Sequence, residues 1–405
     1  MIKPQTLKGF RDFLPQEARK RQFVINTLKK VFESYGFEPL ETPSLEYEEI
    51  LLGKYGDEGD KLMYRFVDNG KRKVALRYDQ TVPLARVVAQ YGSASSPQVL
   101  PMPFKRYQIQ NVWRAENTQK GRYREFLQCD ADIVGMSTSL ADAEILSLVL
   151  EIYKNLKLDV TIKINDRTNF ENLNKKIIAA IDKLEKVGES TVLSEMVEKG
   201  MTSDDAKLAL TTLQEKPITE NIKPILKYLK MMGQDVSKVK YEPTLARGLD
   251  YYTGIIFETV VKNSAGSICS GGRYDNLIGM FGNNQPAIGF GLGFDRTIEL
   301  LEENGLLPDL KAPVKVLVTV FSENLIQKSL EIINFLDENK IPCELWLDPN
   351  SKMEKQLKYA DQKGIPFVVI IGPDEAAKNM VTLKNMKTRS QKTIAEKNIF
   401  NEITI

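Results

Sequence analysis

The sequence predicts an α+β protein in two parts, residues 1–312 and 313–405, the first carrying a helical insertion at about 167–240. Three observations predict this. Strand-like stretches and amphipathic helices mix up to about residue 165, and strands return in "GIIFETVV", "GSICSGG" and "AIGFGLGF". The segment between is Lys/Glu-rich and helical throughout, as in "NLNKKIIAAIDKLEKVG" and "TSDDAKLALTTLQEK". From Pro313 strand and helix alternate, the pattern of a small separate α/β domain of about 90 residues.

Taken in order, "RKRQFVINTLKKVFESYG" sets Phe23, Val24, Leu28, Val31 and Phe32 in one helical stripe, and Gly36 follows as a C-cap. "FEPLETPSLEY" is extended, with Pro39 and Pro43 suited to an edge strand. "KVALRYDQTVPLARVVAQYG" is a strand entering a helix, with Pro83 in the tolerant first turn. "FKRYQIQNVWRAE" and "YREFLQCDADIVG" alternate on either side of the polar "NTQKGR", so they form a long hairpin. Thr202 and Asp205 open a helix in the manner of a capping box. In the second part, "VKVLVTVF" is a buried strand, and the next helix sets Ile326, Leu330 and Ile333 on one face. "CELWL", the helix "KMEKQLKYADQKG" and the strand "PFVVIIG" complete it.

Apolar and charged fractions of 42% and 27% are those of a soluble globular protein. No apolar run approaches the roughly 18 residues of a membrane span, and the start has no secretory h-region. Cys129, Cys269 and Cys343 are far apart, without metal-ligand spacing, and odd in number. A cytoplasmic protein with reduced thiols is expected. The balance of 56 basic against 54 acidic residues excludes a protein that holds nucleic acid by bulk charge, so a polyanion must meet local patches. The chain has no histidine. That excludes a Ser-His-Asp triad, a Cys-His dyad and a His-ligated zinc, and leaves fixed charges to do most of the chemistry.

Five stretches carry candidate chemistry. "AIGFGLGFDR" has Gly289, Gly291 and Gly293 as G-x-G-x-G, which fails the dinucleotide spacing. In a strand the three share one bare face, with Phe290, Leu292 and Phe294 on the other. A bare face admits a flat ligand, or simply close sheet packing; Arg296 begins the helix that follows. "WRAENTQKGRYREFLQ" sets Arg114 and Glu116 on one strand face, with Arg122 and Arg124 flanking the return. Guanidinium forks there suit phosphate, and a solvated basic loop reads the same way. "LRYDQTVPLAR" offers Asp79 and Thr81 as acceptors for an amino group, or as helix caps. In "SGGRYDNL" Gly271 and Gly272 precede Tyr274, either part of a site or nothing more than a turn. "LARGLDYYTG" joins Arg247 to Tyr251 and Tyr252, either a site or a salt-bridged arginine beside core aromatics.

Together and in this order, the stretches resemble the histidyl-tRNA synthetases, a class II aminoacyl-tRNA synthetase family. "FESYGFEPLETPSLE" is similar to class II motif 1, with Pro43 as its proline, and "VWRAENTQKGRYREFLQCDADIVG" to motif 2. "LARGLDYYTG" and "CSGGRYDNLI" resemble the two histidine-specific blocks, and "AIGFGLGFDR" motif 3. The resemblance covers nearly the whole chain. It implies a class II catalytic domain over 1–312, an antiparallel sheet with a helical insertion, and an anticodon-binding domain over 313–405. It also implies a homodimer built through motif 1 and a histidine–tRNA ligase reaction that consumes ATP.

The resemblance further implies residue roles. Arg114 would hold the α-phosphate, Arg296 the γ-phosphate and one adenine face, and Phe126 the other face. Glu116 would contact adenine or help place the Mg²⁺ that accompanies ATP, and Arg122 would reach the terminal phosphates; no protein cage for metal is implied. Arg247 would lie against the α-phosphate, close to the histidine, and act with Arg114 in catalysis. On the amino acid, Asp79 and Thr81 would bind the α-ammonium, with Gln128 near the carboxylate or ammonium. Asp132 and Tyr252 would hold the imidazole beside Tyr251, and Tyr274 would close the pocket. Asp132 is shorter than the glutamate of many relatives. A histidine-binding regulatory subunit of ATP phosphoribosyltransferase is the rival resemblance; such chains typically lack residues like 313–405 and the set Arg114, Arg247 and Arg296. A basic stretch, Lys384, Lys387, Arg389 and Lys392, is either a contact for the tRNA anticodon arm or a solvated face.

Overall fold

The computed structural model describes residues 2–53, 56–92, 98–118, 121–246, 251–264, 266–282, 284–310 and 312–403. The chain divides into two compact units, Met1–Leu307 and Pro308–Ile405. Among the described residues no helix is long and apolar enough to cross a membrane.

The first unit is built on an eight-stranded sheet. Its strands are β1 (Glu38–Pro39), β2 (Phe104–Trp113), β3 (Glu125–Val134), β4 (Val160–Asp166), β5 (Val239–Tyr241), β6 (Ile255–Val261), β7 (Cys269–Arg273) and β8 (Ala287–Gly293). They lie in the order β1-β2-β3-β8-β7-β6-β4-β5. The outermost pairs, β1–β2 and β4–β5, are parallel and every other pair is antiparallel. Pro39 sits in the edge strand, where its missing N–H is tolerated. β2 and β3 form the long hairpin, paired from Phe104↔Val134 to Trp113↔Glu125.

Alternation along β3 separates core from site. Cys129, Ala131 and Ile133 enter the core with Phe290 and Leu292 of β8. Gln128, Asp130 and Asp132 therefore stand on the opposite face, paired in register with Gly293, Gly291 and Gly289. Four helices position this sheet: α1 (Pro15–Ser34), α2 (Thr81–Tyr91), α3 (Ser139–Asn155) and α4 (Phe294–Glu303). α1 and α3 cover the core face, and α1 buries Val24, Leu28, Val31 and Phe32 while Phe23 is only partly buried. Gly36, at φ 73°, closes α1 in the left-handed conformation that favours glycine. α2 covers the other face, where Leu84, Ala85 and Val88 pack with Tyr252, Tyr274 and the insertion residues Ile177, Ile181 and Met196.

The insertion differs from a continuous run of helix. It begins with a 3₁₀ turn, Arg167–Phe170, and "NLNKKIIAAIDKLEKVG" folds as two helices, Lys175–Ile181 and Leu184–Val187. Asn174 caps the first, accepting the Ile177 N–H at 3.0 Å. Thr202 caps the helix Ser203–Gln214 through the Asp205 N–H at 3.1 Å, and its hydroxyl donates back to the Asp205 carboxylate at 2.6 Å. The helix Ile222–Met231 buries Ile222, Ile225 and Leu229 in the main core, against α3.

The second unit has a five-stranded sheet of β9 (Val316–Val318), β10 (Cys343–Leu345), β11 (Phe367–Ile370), β12 (Met380–Asn385) and β13 (Gln391–Ala395). The order is β10-β9-β11-β12-β13, with β9 parallel to both neighbours and the last two pairs antiparallel. One expectation is corrected here. The helix Ile326–Glu338 buries Ser329, Ile332 and Leu336, and Leu330 is 43% exposed. The buried stripe is centred on Ile332 and Leu336, with Ile333 only partly buried beside them, and the Ser329 hydroxyl on that face donates to the Thr319 carbonyl at 2.9 Å. The basic stretch lies on the β12–β13 hairpin; there Arg389 pairs with Asp361 at 2.9 Å and Lys392 with Glu402.

Candidate active site

The bare glycine face of the sheet floors a cavity of about 330 Å³. Asp79, Thr81, Arg114, Phe126, Gln128, Asp132, Tyr251, Tyr252 and Tyr274 all line it, so nine of the sequence-predicted residues come together. Arg247, the predicted catalytic cation, lies outside the described residues.

At one end Asp132 is held from two sides. Arg106 of β2, directly opposite in register, reaches it with Nη2–Oδ2 at 2.6 Å, both side chains almost fully buried. The Tyr274 hydroxyl donates to its other oxygen. Burial raises the Asp132 carboxyl above the usual carboxylate range, while Arg106 and the Tyr274 hydrogen bond pull it back down. Burial likewise lifts the Tyr274 phenol well above its ordinary value, with Asp132 adding to the effect, so Tyr274 keeps its proton and donates it. The Tyr251 ring packs tilted on Tyr252, 4.9 Å between centroids, and edge to face with Tyr274 at 5.9 Å.

The glycines exist for their neighbours. A Cβ on Gly289 would overlap the Asp132 carboxylate and stand 2.8 Å from the Ala131 carbonyl oxygen. The face is therefore bare of its own side chains but partly filled by those of β3. Gly271 and Gly272 are not a turn: they lie inside β7, and a Cβ on Gly272 would stand 2.9 Å from the Tyr252 ring.

At the other end Arg114 leaves β2 just after Trp113. Its Nε donates to the Tyr78 carbonyl at 3.1 Å, and its guanidinium carbon lies 4.4 Å from the Tyr78 ring centre and 5.2 Å from that of Phe126. A cation spread between two aromatic faces, backbone-anchored on one edge, presents its remaining N–H groups as an anion fork. Asp79 takes the capping role and also borders the cavity. Its Oδ1 accepts the N–H groups of Thr81 (3.1 Å) and Val82 (3.2 Å) at the start of α2.

Three predicted residues lie outside the cavity wall. Glu116 faces Arg122 at 3.5 Å on the hairpin, with the Arg122 side chain 61% exposed. Arg296, in the first turn of α4, donates to Ser264 Oγ at 2.9 Å and to Glu299 at 3.2 Å. Among the described residues no group of three or more cysteine, aspartate or glutamate side chains is placed to hold a metal ion. Sequence reasoning missed Arg106, Gln80 and Asp130. Fully buried Gln80 ties β2 to β3, donating to the Gln110 carbonyl at 2.8 Å and that of Gln128 at 3.3 Å. The available signal was "RYQIQ": Arg106, Gln108 and Gln110 share one strand face, a polar stripe in a ten-residue strand, and Arg106 and Gln108 are buried.

The comparisons with known proteins agree with this geometry. A family model described as histidyl-tRNA synthetase matches residues 9–297, and one described as anticodon binding domain matches 315–404. The histidine–tRNA ligase of Gloeobacter violaceus is 39% identical, with 96% of each chain covered, and that of Cytophaga hutchinsonii is 38% identical over 96% of this chain and 97% of its own. The crystal structure of histidyl-tRNA synthetase from Nostoc sp. PCC 7120 superposes with a TM-score of 0.83 at 30% identity, covering 100% of this chain and 99% of that one. The apo Staphylococcus aureus histidyl-tRNA synthetase, 24% identical with a TM-score of 0.74, shares the fold. With a family match over most of its length and relatives alike from end to end, the chain belongs to the histidyl-tRNA synthetase family.

Proposed function

We propose that this chain is a histidine–tRNA ligase. The observation that carries the reading is one cavity with a buried, doubly held carboxylate at one end and an aromatic-mounted guanidinium at the other. A neutral imidazole offers one donor and one acceptor, which the Asp132 carboxyl and a tyrosine hydroxyl match. A site built to hydrogen-bond that ring rejects amino acids lacking it, so selection rests on binding alone.

In the first step the histidine carboxylate attacks the α-phosphate of ATP, giving histidyl-adenylate and pyrophosphate. In the second, a 3′-terminal ribose hydroxyl of tRNA(His) takes the histidyl group and AMP leaves. Charge gathers on the α-phosphate oxygens, so preorganised cations supply most of the rate. Arg114 holds those oxygens and Arg247 joins it. Phe126 stacks on adenine, Arg296 takes its other face and the γ-phosphate, and Arg122 meets the terminal phosphates. Asp79 and Thr81 bind the α-ammonium, and Gln128 sits beside it. Asp132 and Tyr252 hold the imidazole between Tyr251 and Tyr274. Glu116 would contact adenine or help hold the Mg²⁺ that accompanies ATP, an ion that would supply charge neutralisation at the phosphates. Residues 1–312 carry catalysis and 313–405 read the anticodon, in a cytoplasmic homodimer paired through the Pro43 segment.

ATP–pyrophosphate exchange with each amino acid in turn tests the reading. Exchange with histidine alone is expected; histidine binding without exchange would make the chain a regulator instead. Arg247→Ala is expected to lower the exchange rate far more than histidine affinity, and the reverse pattern would remove Arg247 from the phosphate.

A further inference from the structure

We infer that Asp130 is a further amino-acid-binding residue, whose carboxylate joins that of Asp79 around the substrate's α-ammonium. The inference rests on the histidine–tRNA ligase reading above and adds a contact to it.

The register of β3 places Asp130 in the middle of the site. Gln128, Asp130 and Asp132 alternate onto one face, opposite Gly293, Gly291 and Gly289. An amino acid with its imidazole at Asp132 and its backbone at Gln128 must pass over Asp130. The residue lines the cavity yet is only 3% exposed, and its Oδ1 has no hydrogen-bond partner among the described residues. A Cβ on Gly291 would stand 3.1 Å from that same oxygen and 3.0 Å from Gln128 Nε2, so the glycine leaves the space into which the carboxylate points.

Charge counting leads to the same place. Of the three aspartates on this wall, Asp132 is matched by Arg106 and Asp79 caps α2. Arg114, the other cation near it among the described residues, spends its Nε on the Tyr78 carbonyl. Asp130 is the carboxylate whose buried Oδ1 the described residues leave unsatisfied, and a buried acceptor in that state is costly until a donor arrives. Burial pushes its carboxyl well above the usual range; Asp132 and Asp79 add to that, and Arg106 and Arg114 oppose it. An ammonium is the ligand group that reverses this balance: it supplies both positive charge and N–H donors.

The test is Asp130→Asn, which keeps shape and removes charge. In histidine-dependent ATP–pyrophosphate exchange the KM for histidine is expected to rise about 10- to 100-fold, the span of a hydrogen bond to a charged group. kcat and the KM for ATP should stay within about threefold. Calorimetric binding of histidinol, which keeps the ammonium, should weaken by the same factor, whereas imidazole-4-propionate, which lacks it, should bind wild type and variant alike. Equal weakening of both analogues would make Asp130 a mere support of Asp132, and a change confined to ATP would make it a partner of Arg114; either overturns the inference. Should the asparagine variant fail to fold, Asp130→Gly carries the same comparison. Failure of the parent reading is separate: wild-type enzyme would then show no histidine-dependent exchange at all.

Discussion

Gly289→Ala puts the support of Asp132 to a quantitative test. The added Cβ overlaps the Asp132 carboxylate and lies 2.8 Å from the Ala131 carbonyl oxygen. Both neighbours are on β3, and the second is backbone in a ladder, so the side chain must move. Clearing a normal van der Waals distance displaces the carboxylate by more than about 1 Å. That breaks the 2.6 Å contact with Arg106 and the hydrogen bond from Tyr274. A misplacement of about 1 Å in a positioning group costs on the order of 100-fold in rate, and overpacking costs about 1–3 kcal/mol of stability. Histidine-dependent exchange should therefore lose about 100-fold in kcat/KM for histidine while the KM for ATP holds. Gly291→Ala is the internal control. Its nearest atoms, Gln128 Nε2 at 3.0 Å and Asp130 Oδ1 at 3.1 Å, are side-chain ends that yield by a few tenths of an ångström, so it should lose far less. If Gly289→Ala stays within threefold of wild type, or Gly291→Ala is the more damaged of the two, the reasoning about Asp132 is refuted.

Two other changes follow from buried charge. Arg106→Gln strands Asp132 without its cation and should destabilise the first unit by about 3–5 kcal/mol, read from urea midpoints, with a raised KM for histidine; an unchanged midpoint would show the pair to be dispensable. The 5% exposed Asp142 accepts from Arg273 Nε at 3.0 Å, yet burial outweighs that guanidinium and raises its carboxyl from 3.8 to about 6. A raised folded value means the stabilisation is complete below the unfolded value and lost as pH rises through about 6. Relative to Asp142→Asn, wild type should gain about 2 kcal/mol between pH 7.5 and pH 4.5, and a difference flat across that range would contradict the shift.

What the chain discloses before folding depends on how local each cause is. The α1 stripe, the β2–β3 hairpin and the Thr202 cap were legible because side-chain period and capping chemistry act within a few residues. The Gly271–Gly272 pair misled because two glycines signal a turn locally. Their real reason is close approach of neighbouring strands: a Cβ on Gly271 would overlap the Gly289 carbonyl oxygen, and one on Gly272 would stand 2.5 Å from that of Ile255. Arg106 was silent for a related cause: an arginine in a strand means little until the register sets it against Asp132. The helix Ile326–Glu338 offers two overlapping apolar stripes, Ile326, Leu330 and Ile333 beside Ile332 and Leu336, and only packing on the sheet decides that the second is buried. Nor did alternation alone single out Asp130, although it placed the residue between two that were named.

The doubly held Asp132 has one more consequence when set beside a chain of 405 residues without histidine. Every imidazole signal in a spectrum of the bound complex would belong to the ligand. Carbon and nitrogen shifts of labelled histidine in the pocket would then report its tautomer and protonation free of protein background, with Asp132 and its neighbours written into them. Any titration near neutral pH that appears only on binding could be assigned to a single ring. The protein is thus a dark matrix in which its own substrate is the sole probe.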